Sequence, residues 1–190
     1  MNKKGMLIVV SGPSGVGKGS ILRKIFEQDS NLAFSVSCTT RAPRTGEEDG
    51  VHYFFITKQQ FEENIKNGKM LEYTCYCDNY YGTSAEYVEK QRLEGKDVVL
   101  EIEIDGAQQI MKNSTDALTI FIAPPSFEVL VKRLSDRGTE DSDVIMQRVE
   151  AARKELSFKD EYKYIVINDD LDDAILEVKN IINAERQKNK

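Results

Sequence analysis

The stretch Gly12-Pro13-Ser14-Gly15-Val16-Gly17-Lys18-Gly19-Ser20 constrains this chain more than any other. It follows the apolar run Met6–Val10, whose unbroken hydrophobicity reads as a strand buried on both faces. It precedes Lys18–Gln28, where Ile21, Leu22 and Ile25 share one helical face. Strand, glycine loop and helix in that order aim backbone N–H groups at one point. Glycines permit the close approach and the positive-φ turns this needs. The helix end adds unpaired donors and a favourable dipole. Lys18 can then bridge terminal phosphates, so the loop reads as a phosphate cradle. A purely structural turn would leave the lysine and the interleaved glycines without a reason.

The back half repeats the alternation. Val98–Ile104 reads as a strand, with Asp105 as a cap over a helix at Gly106–Lys112. Leu118–Ala123 is a second apolar strand, and Ser126 can cap a helix carrying Phe127, Leu130, Val131 and Leu134, ended by Gly138. Asp143–Phe158 and Leu171–Glu185 show helical faces around the short strand Tyr164–Ile167. Strands alternating with helices imply an α/β fold with a parallel sheet flanked by helices. Residues 34–81 break the rhythm. Val51–Ile56 and Met70–Tyr76 read as β pieces, Lys58–Asn67 as a helix, and most aromatic residues fall there. Thr83 with Glu86 three residues on has a capping-box pattern, so Thr83 is expected to start a helix. The segment reads as a mixed-sheet insertion into the core.

Composition narrows the partners. A chain of 190 residues suits one domain with a modest insertion. Its net charge of −6 disfavours polymeric nucleic acid and anionic membranes, because the average field repels phosphate. No apolar run approaches the roughly 20 residues of a spanning helix, and Gly12-Pro13-Ser14-Gly15 cuts off any signal-peptide layout. The 3 cysteines include Cys75 and Cys77, a pair expected on one strand face. Their odd number and lack of framework spacing suit reduced thiols in a cytoplasmic protein. His52, the sole histidine, is expected to pack or hydrogen-bond within the insertion.

The segment Ser37-Cys38-Thr39-Thr40-Arg41-Ala42-Pro43-Arg44-Thr45-Gly46-Glu47 is dense in anion ligands. Guanidinium groups hold phosphate oxygens bidentately, which a lysine cannot do. A second phosphate site, separate from the glycine loop, is the natural reading. The combination Ser35-x-Ser37-x-Thr39-Thr40-Arg41-x-Pro43-Arg44-x-Gly46-Glu47, Gly50-x-x-Tyr53-x-Phe55 and Asn79-Tyr80-Tyr81-Gly82-Thr83 closely resembles guanylate kinases. The resemblance continues through Phe121–Ser126, Arg137-Gly138-Thr139 and Val166–Asp170, in order along essentially the whole chain.

That resemblance implies a P-loop core over residues 1–33 and 84–190, a helical lid at about 137–157 and a GMP-binding insertion at 34–83. It implies transfer of the γ-phosphoryl of ATP to GMP. Gly12, Pro13, Ser14, Gly15, Val16, Gly17, Lys18, Gly19 and Ser20 would hold ATP, with Arg133 and Asn168. Lys18, Arg41, Arg137 and Arg148 would be catalytic. Ser37, Arg41, Arg44, Tyr53 and Tyr81 would hold the GMP phosphate, and Glu72, Thr83 and Glu103 the guanine. A carboxylate accepts both guanine donors at N1 and N2, whereas adenine has no N1 donor; such a site rejects the wrong base by roughly 10⁴–10⁵. Taken without the resemblance, Glu72 reads as an exposed strand carboxylate. Gly19 stands where many phosphate loops have Ser or Thr, so Ser20 and Glu101 would meet Mg²⁺ directly or through water. Glu101 and Glu103 share a strand face, at positions where the family often has Asp. A scaffold module binding phosphopeptides competes with this reading, but Lys18 and its glycines argue against it. A kinase for another monophosphate also competes, and Glu72 with Thr83 argues against that. An apolar stripe on the last helix fits packing on the sheet and a homodimer contact equally.

Overall fold

A computed structural model describes residues 3–135 and 142–188, the side chains of 142–144 excepted. The first apolar run forms β1 (Leu7–Ser11), and all of it is buried. The glycine loop leads into α1 (Lys18–Gln28), which buries Ile21, Leu22 and Ile25 as its periodicity requires. Then come β2 (Leu32–Phe34), β3 (Cys38–Thr39), β4 (Phe54–Phe55), α2 (Lys58–Lys66), β5 (Met70–Tyr76), β6 (Asn79–Ser84) and α3 (Ala85–Leu93). The chain continues through β7 (Asp97–Glu101), α4 (Ile104–Asn113), β8 (Leu118–Ala123), α5 (Phe127–Ser135), α6 (Ser142–Leu156), β9 (Tyr164–Ile167) and α7 (Leu171–Lys188).

Strand order in the main sheet is β2-β7-β1-β8-β9, and a second, mixed sheet has the order β4-β3-β6-β5. The main sheet is parallel in the pairs β2–β7, β1–β8 and β8–β9. In the mixed sheet β3 runs parallel to β4 and antiparallel to β6, and β5 is antiparallel to β6. The chain folds as two compact units. One comprises Met1–Leu7, Asn31–Leu100 and Asp105–Ala117 and holds the mixed sheet with α2, α3 and α4. The other comprises Ile8–Ser30, Glu101–Ile104 and Leu118–Lys190 and holds the glycine loop. In this second unit every residue of β8 is buried, as expected for a parallel strand covered on both faces. The α7 stripe of Ala174, Ile175, Val178 and Ile182 is buried too. It packs inside the chain, so the homodimer expectation loses that surface.

Local details differ from the sequence reading. The strand expected to run to Ile104 ends at Glu101, and α4 begins at Ile104. Asp105 therefore lies within the first turn of α4, where its charge suits the helix dipole, and does not cap it. Thr83 belongs to β6; the cap of α3 is Ser84, whose hydroxyl accepts the Tyr87 N–H at 3.3 Å. The Val51–Ile56 piece shrinks to Phe54–Phe55, because the Glu48 carbonyl folds Val51 and His52 into a turn. Cys75 is on β5, but Cys77 sits in the following turn at φ 47°, so the two do not share a strand face. His52 accepts the Glu48 N–H through Nδ1 at 3.1 Å, within the insertion as expected. Gly138, read as the end of α5, and Arg137 and Thr139 lie outside the described residues.

Phe121 of β8 is fully buried, its ring edge-on to Tyr162 at 5.1 Å between centroids. Phe121→Ala is expected to cost about 3–5 kcal/mol of unfolding free energy, read from urea denaturation; a loss under about 1 kcal/mol would contradict this packing.

Candidate functional site

The glycine loop lies between the end of β1 and α1. Gly17 is the N-cap of α1 at φ 99° and offers no side-chain cap, and the first turn holds no acidic residue. By contrast α3, α4, α5 and α7 each carry an acidic residue there. The positive end of α1 is thus left for an external anion. Gly17 also has no room for a side chain, since a Cβ would stand 2.5 Å from Asn168 Nδ2. That amide donates to the Val16 carbonyl at 2.7 Å, and Arg133 Nη1 donates to the Asn168 carbonyl at 3.0 Å. Asn168, expected near adenine, therefore fixes the loop's shape with its buried side-chain amide.

Lys18 Nζ donates back to the carbonyls of Gly12 at 2.6 Å and Pro13 at 3.2 Å. Burial pulls its pKa below the ordinary lysine value, and the charges of Glu101, Glu155 and Glu103 oppose that shift. Burial likewise raises the Glu101 carboxyl, opposed by Lys18. Both line an open polar cleft of about 570 Å³ with Ser14, Gly15, Gly17, Gly19, Ser20 and Arg23. Arg148 on α6 reaches the same loop, donating to Ser14 Oγ at 2.9 Å. Glu103 is exposed, and its charge acts on Lys18. Arg137 falls outside the described residues. The sequence reading missed Arg23 and Glu155. Arg23 is in the second turn of α1 and outside the motif, and Glu155 comes from a helix far along the chain.

A second cluster forms in the unit with the mixed sheet. Arg41 makes a two-point pair with Glu47, Nη1 to Oε2 at 2.9 Å and Nη2 to Oε1 at 3.0 Å, and Nη1 also donates to the Ala42 carbonyl. The Arg44 N–H donates to Glu47 Oε2 at 2.7 Å, so Glu47 ties both arginines into one loop. The Arg41 guanidinium lies 5.5 Å from the Tyr53 ring centre and 5.8 Å from that of Phe55. Tyr53 meets Tyr81 edge-on at 6.1 Å, and the Tyr81 hydroxyl hydrogen-bonds Arg41. Four of the five residues expected to hold one phosphate, Arg41, Arg44, Tyr53 and Tyr81, thus share this cluster. Ser37 joins it through the backbone, its carbonyl accepting the Phe54 N–H at 2.8 Å. The Glu47 hydrogen bonds with Arg41 and the Arg44 N–H hold its carboxyl down to about 2. The same pair raises the Arg41 guanidinium.

In the same unit Glu72 is 5% exposed, not an exposed strand carboxylate. A register shift between Met70 and Glu72 turns its side chain inward, opposite Thr83 on β6. The Thr83 hydroxyl donates to Glu72 Oε1 at 2.6 Å. In this arrangement Thr83 holds the carboxylate, and contact with a guanine oxygen requires the hydroxyl to turn. A buried carboxylate beside a hydroxyl, in the same unit as two arginines and two tyrosines, can read a base with adjacent N–H donors and hold its phosphate.

A profile of the family described as "Guanylate kinase" matches residues 4–185. Guanylate kinase of Lactococcus lactis is 50% identical over 185 residues, 97% of this chain and 90% of that protein. Guanylate kinase of Rickettsia felis is 45% identical over 188 residues, covering 99% and 98%. The crystal structure of guanylate kinase from Anaplasma phagocytophilum superimposes with a TM-score of 0.74 at 32% identity, covering 97% of this chain and 88% of that one.

The depressed Glu47 carboxyl makes its pairing pH-dependent. Its pairing with Arg41 is complete above the ordinary carboxylate value and is lost as pH falls toward about 2. Carboxyl-carbon NMR should show Glu47 titrating near 2, and Arg41→Gln should return it toward about 4.3. An unmoved titration would contradict the pairing.

Proposed function

The chain belongs to the guanylate kinase family, and on that premise we propose that its two anion sites divide the family's reaction between them. The enzyme is an ATP:GMP phosphotransferase, giving ADP and GDP. In this reading the glycine loop, Lys18 and Ser20 hold the ATP phosphates, and Arg133, Arg137 and Arg148 add charge beside them. Arg41, Arg44, Tyr53, Tyr81 and Ser37 hold the GMP phosphate. Glu72 accepts the N1 and N2 donors of guanine, with Thr83 and Glu103 completing base recognition. Residues 34–83 act as the GMP-binding insertion and about 137–157 as the lid. The observation that carries the reading is the buried Glu72 carboxylate, paired with Thr83 in the unit that holds the Arg41 cluster.

The acceptor explains why no base is needed. A phosphomonoester has a second pKa near 6, so GMP is mostly dianionic at neutral pH and attacks directly. His52 is engaged with the Glu48 N–H and has no part in the step. The obstacle is bringing two anions together, so rate comes from alignment and charge neutralisation. The Lys18 ammonium, already aimed by two carbonyls, moves to the transferring phosphoryl, and Arg148 steadies the loop through Ser14. Glu47 aims Arg41, whose guanidinium has more donors than its present acceptors use.

The cleft fits Mg²⁺ in its donors. Glu101 offers one carboxylate and Ser20 one hydroxyl beside the phosphate cradle, and this ion binds through one or two carboxylates plus substrate phosphates and water. Bound there by Glu101 and Ser20, it would supply charge neutralisation to the ATP phosphates. Cys38, Cys75 and Cys77 are free thiols, in keeping with the reading of a cytoplasmic enzyme.

A coupled assay for ADP should show formation from ATP that depends on GMP, with AMP and UMP poorer by at least about 10³ in kcat/KM. Comparable rates with AMP would overturn the guanine assignment. Lys18→Ala should cut kcat about 10²–10³-fold or more, and surviving turnover would remove the loop's catalytic role.

A further inference from the structure

Gly106 sits inside α4, within its first turn. Glycine inside a helix costs about 1 kcal/mol relative to alanine, so its place there needs a reason. The reason is proximity: a Cβ at Gly106 would stand 2.5 Å from Glu72 Oε2 and 3.1 Å from its carboxyl carbon. The buried carboxylate rests directly against the bare backbone of α4.

One turn further on, Gln109 holds the strand that carries Glu72. Its Nε2 donates to the Tyr73 carbonyl at 2.8 Å, and its Oε1 accepts the Tyr73 N–H at 3.1 Å. Nε2 also donates to the Asp105 carbonyl at 3.3 Å. β5 is an edge strand of the mixed sheet, so these peptide groups face outward with no strand to pair with among the described residues. The Gln109 amide supplies the pairing in place of one. Gly106 and Gln109 are three apart and share a helix face. Between them, the Tyr73 backbone is fixed on one side of Glu72 and the space for its carboxylate is fixed on the other.

We propose that Gly106 and Gln109 are positioning residues for base selection, setting where the Glu72 carboxylate meets the two adjacent N–H donors of guanine. This rests on the reading of Glu72 as the guanine acceptor. Thr83 orients one carboxylate oxygen, and α4 sets the depth of the other. A carboxylate displaced by the width of a methyl group cannot reach N1–H and the N2 amine together. The loss falls on the N2 contact that separates GMP from IMP, which keeps N1–H and O6 but lacks the amine.

The test measures kcat and KM for GMP, IMP and ATP in Gly106→Ala, Gln109→Met and Glu72→Gln, with melting temperatures for each. Gly106→Ala should raise the GMP KM about 10-fold or more and cut the GMP-over-IMP ratio of kcat/KM by a similar factor, the usual scale for a charge-assisted contact. The KM for ATP should stay within about twofold of wild type, because the ATP loop is untouched. Gln109→Met should shift the ratio in the same direction, and it decides the matter if Gly106→Ala does not fold. Lower melting temperatures with an unchanged GMP-over-IMP ratio in both variants would make the two residues merely structural and overturn the proposal. If Glu72→Gln also leaves the GMP KM and that ratio unchanged, the guanine reading fails with it. If Glu72→Gln alone moves them, only the role of α4 fails.

Discussion

A multiply charged phosphate can leave bulk water only where its charge is answered at once, and the loop from Gly12 to Ser20 is built around that requirement. The helix end it exposes has neither a side-chain cap nor an acidic first turn. Backbone donors there cost nothing to reorganise and cannot be neutralised by proton loss. Lys18 rests on two loop carbonyls, and the charges of nearby carboxylates favour its ammonium form against burial. Much of the surrounding structure serves this loop: Asn168 pins Val16, Arg133 pins Asn168, and Arg148 meets Ser14.

The net charge of −6 takes on a different meaning at this scale. Acidic residues do not oppose nucleotide binding; several of them aim the cations. Glu47 holds Arg41 and the Arg44 backbone, and the charge of Glu101 favours the Lys18 ammonium. A carboxylate within hydrogen-bond reach keeps a guanidinium ordered before the ligand arrives, which reduces the entropy lost on binding. The average field still disfavours long polyanions, while each local cluster favours a small phosphate ester.

The parts of the fold that could be read from sequence were those where chemistry and periodicity agree. The α1 helix matched its expected bounds because the loop sets its start and Ile21, Leu22 and Ile25 set its face. β8 matched because a fully buried apolar run bounded by turns has few other solutions, and β9 matched its expected bounds although only Val166 of it is buried. The segment from Ser37 to Glu47 stood out because hydroxyls and arginines at that density have an anion as their simplest purpose. The two-residue strand β3 was not legible and β4 was read too long, since both exist only through pairing with distant chain. Burial of Glu72 was hidden by the register shift beside it, which reverses the face an alternating pattern would assign. Gly106 and Gln109 fall on an expected helix, but nothing in the sequence shows what they touch. Gln109 meets its partner Tyr73 thirty-six residues away, and only the folded chain brings them together.

The central claim is that one chain holds two independent anion sites, the loop for ATP and the Arg41–Arg44 cluster for GMP. Calorimetric titration of GMP into Lys18→Ala and Arg44→Ala tests it without relying on turnover. The account predicts a GMP Kd within about twofold of wild type for Lys18→Ala and about 10-fold or more weaker for Arg44→Ala, the scale of one charge-assisted hydrogen bond. Loss of GMP binding in Lys18→Ala with normal binding in Arg44→Ala would contradict it.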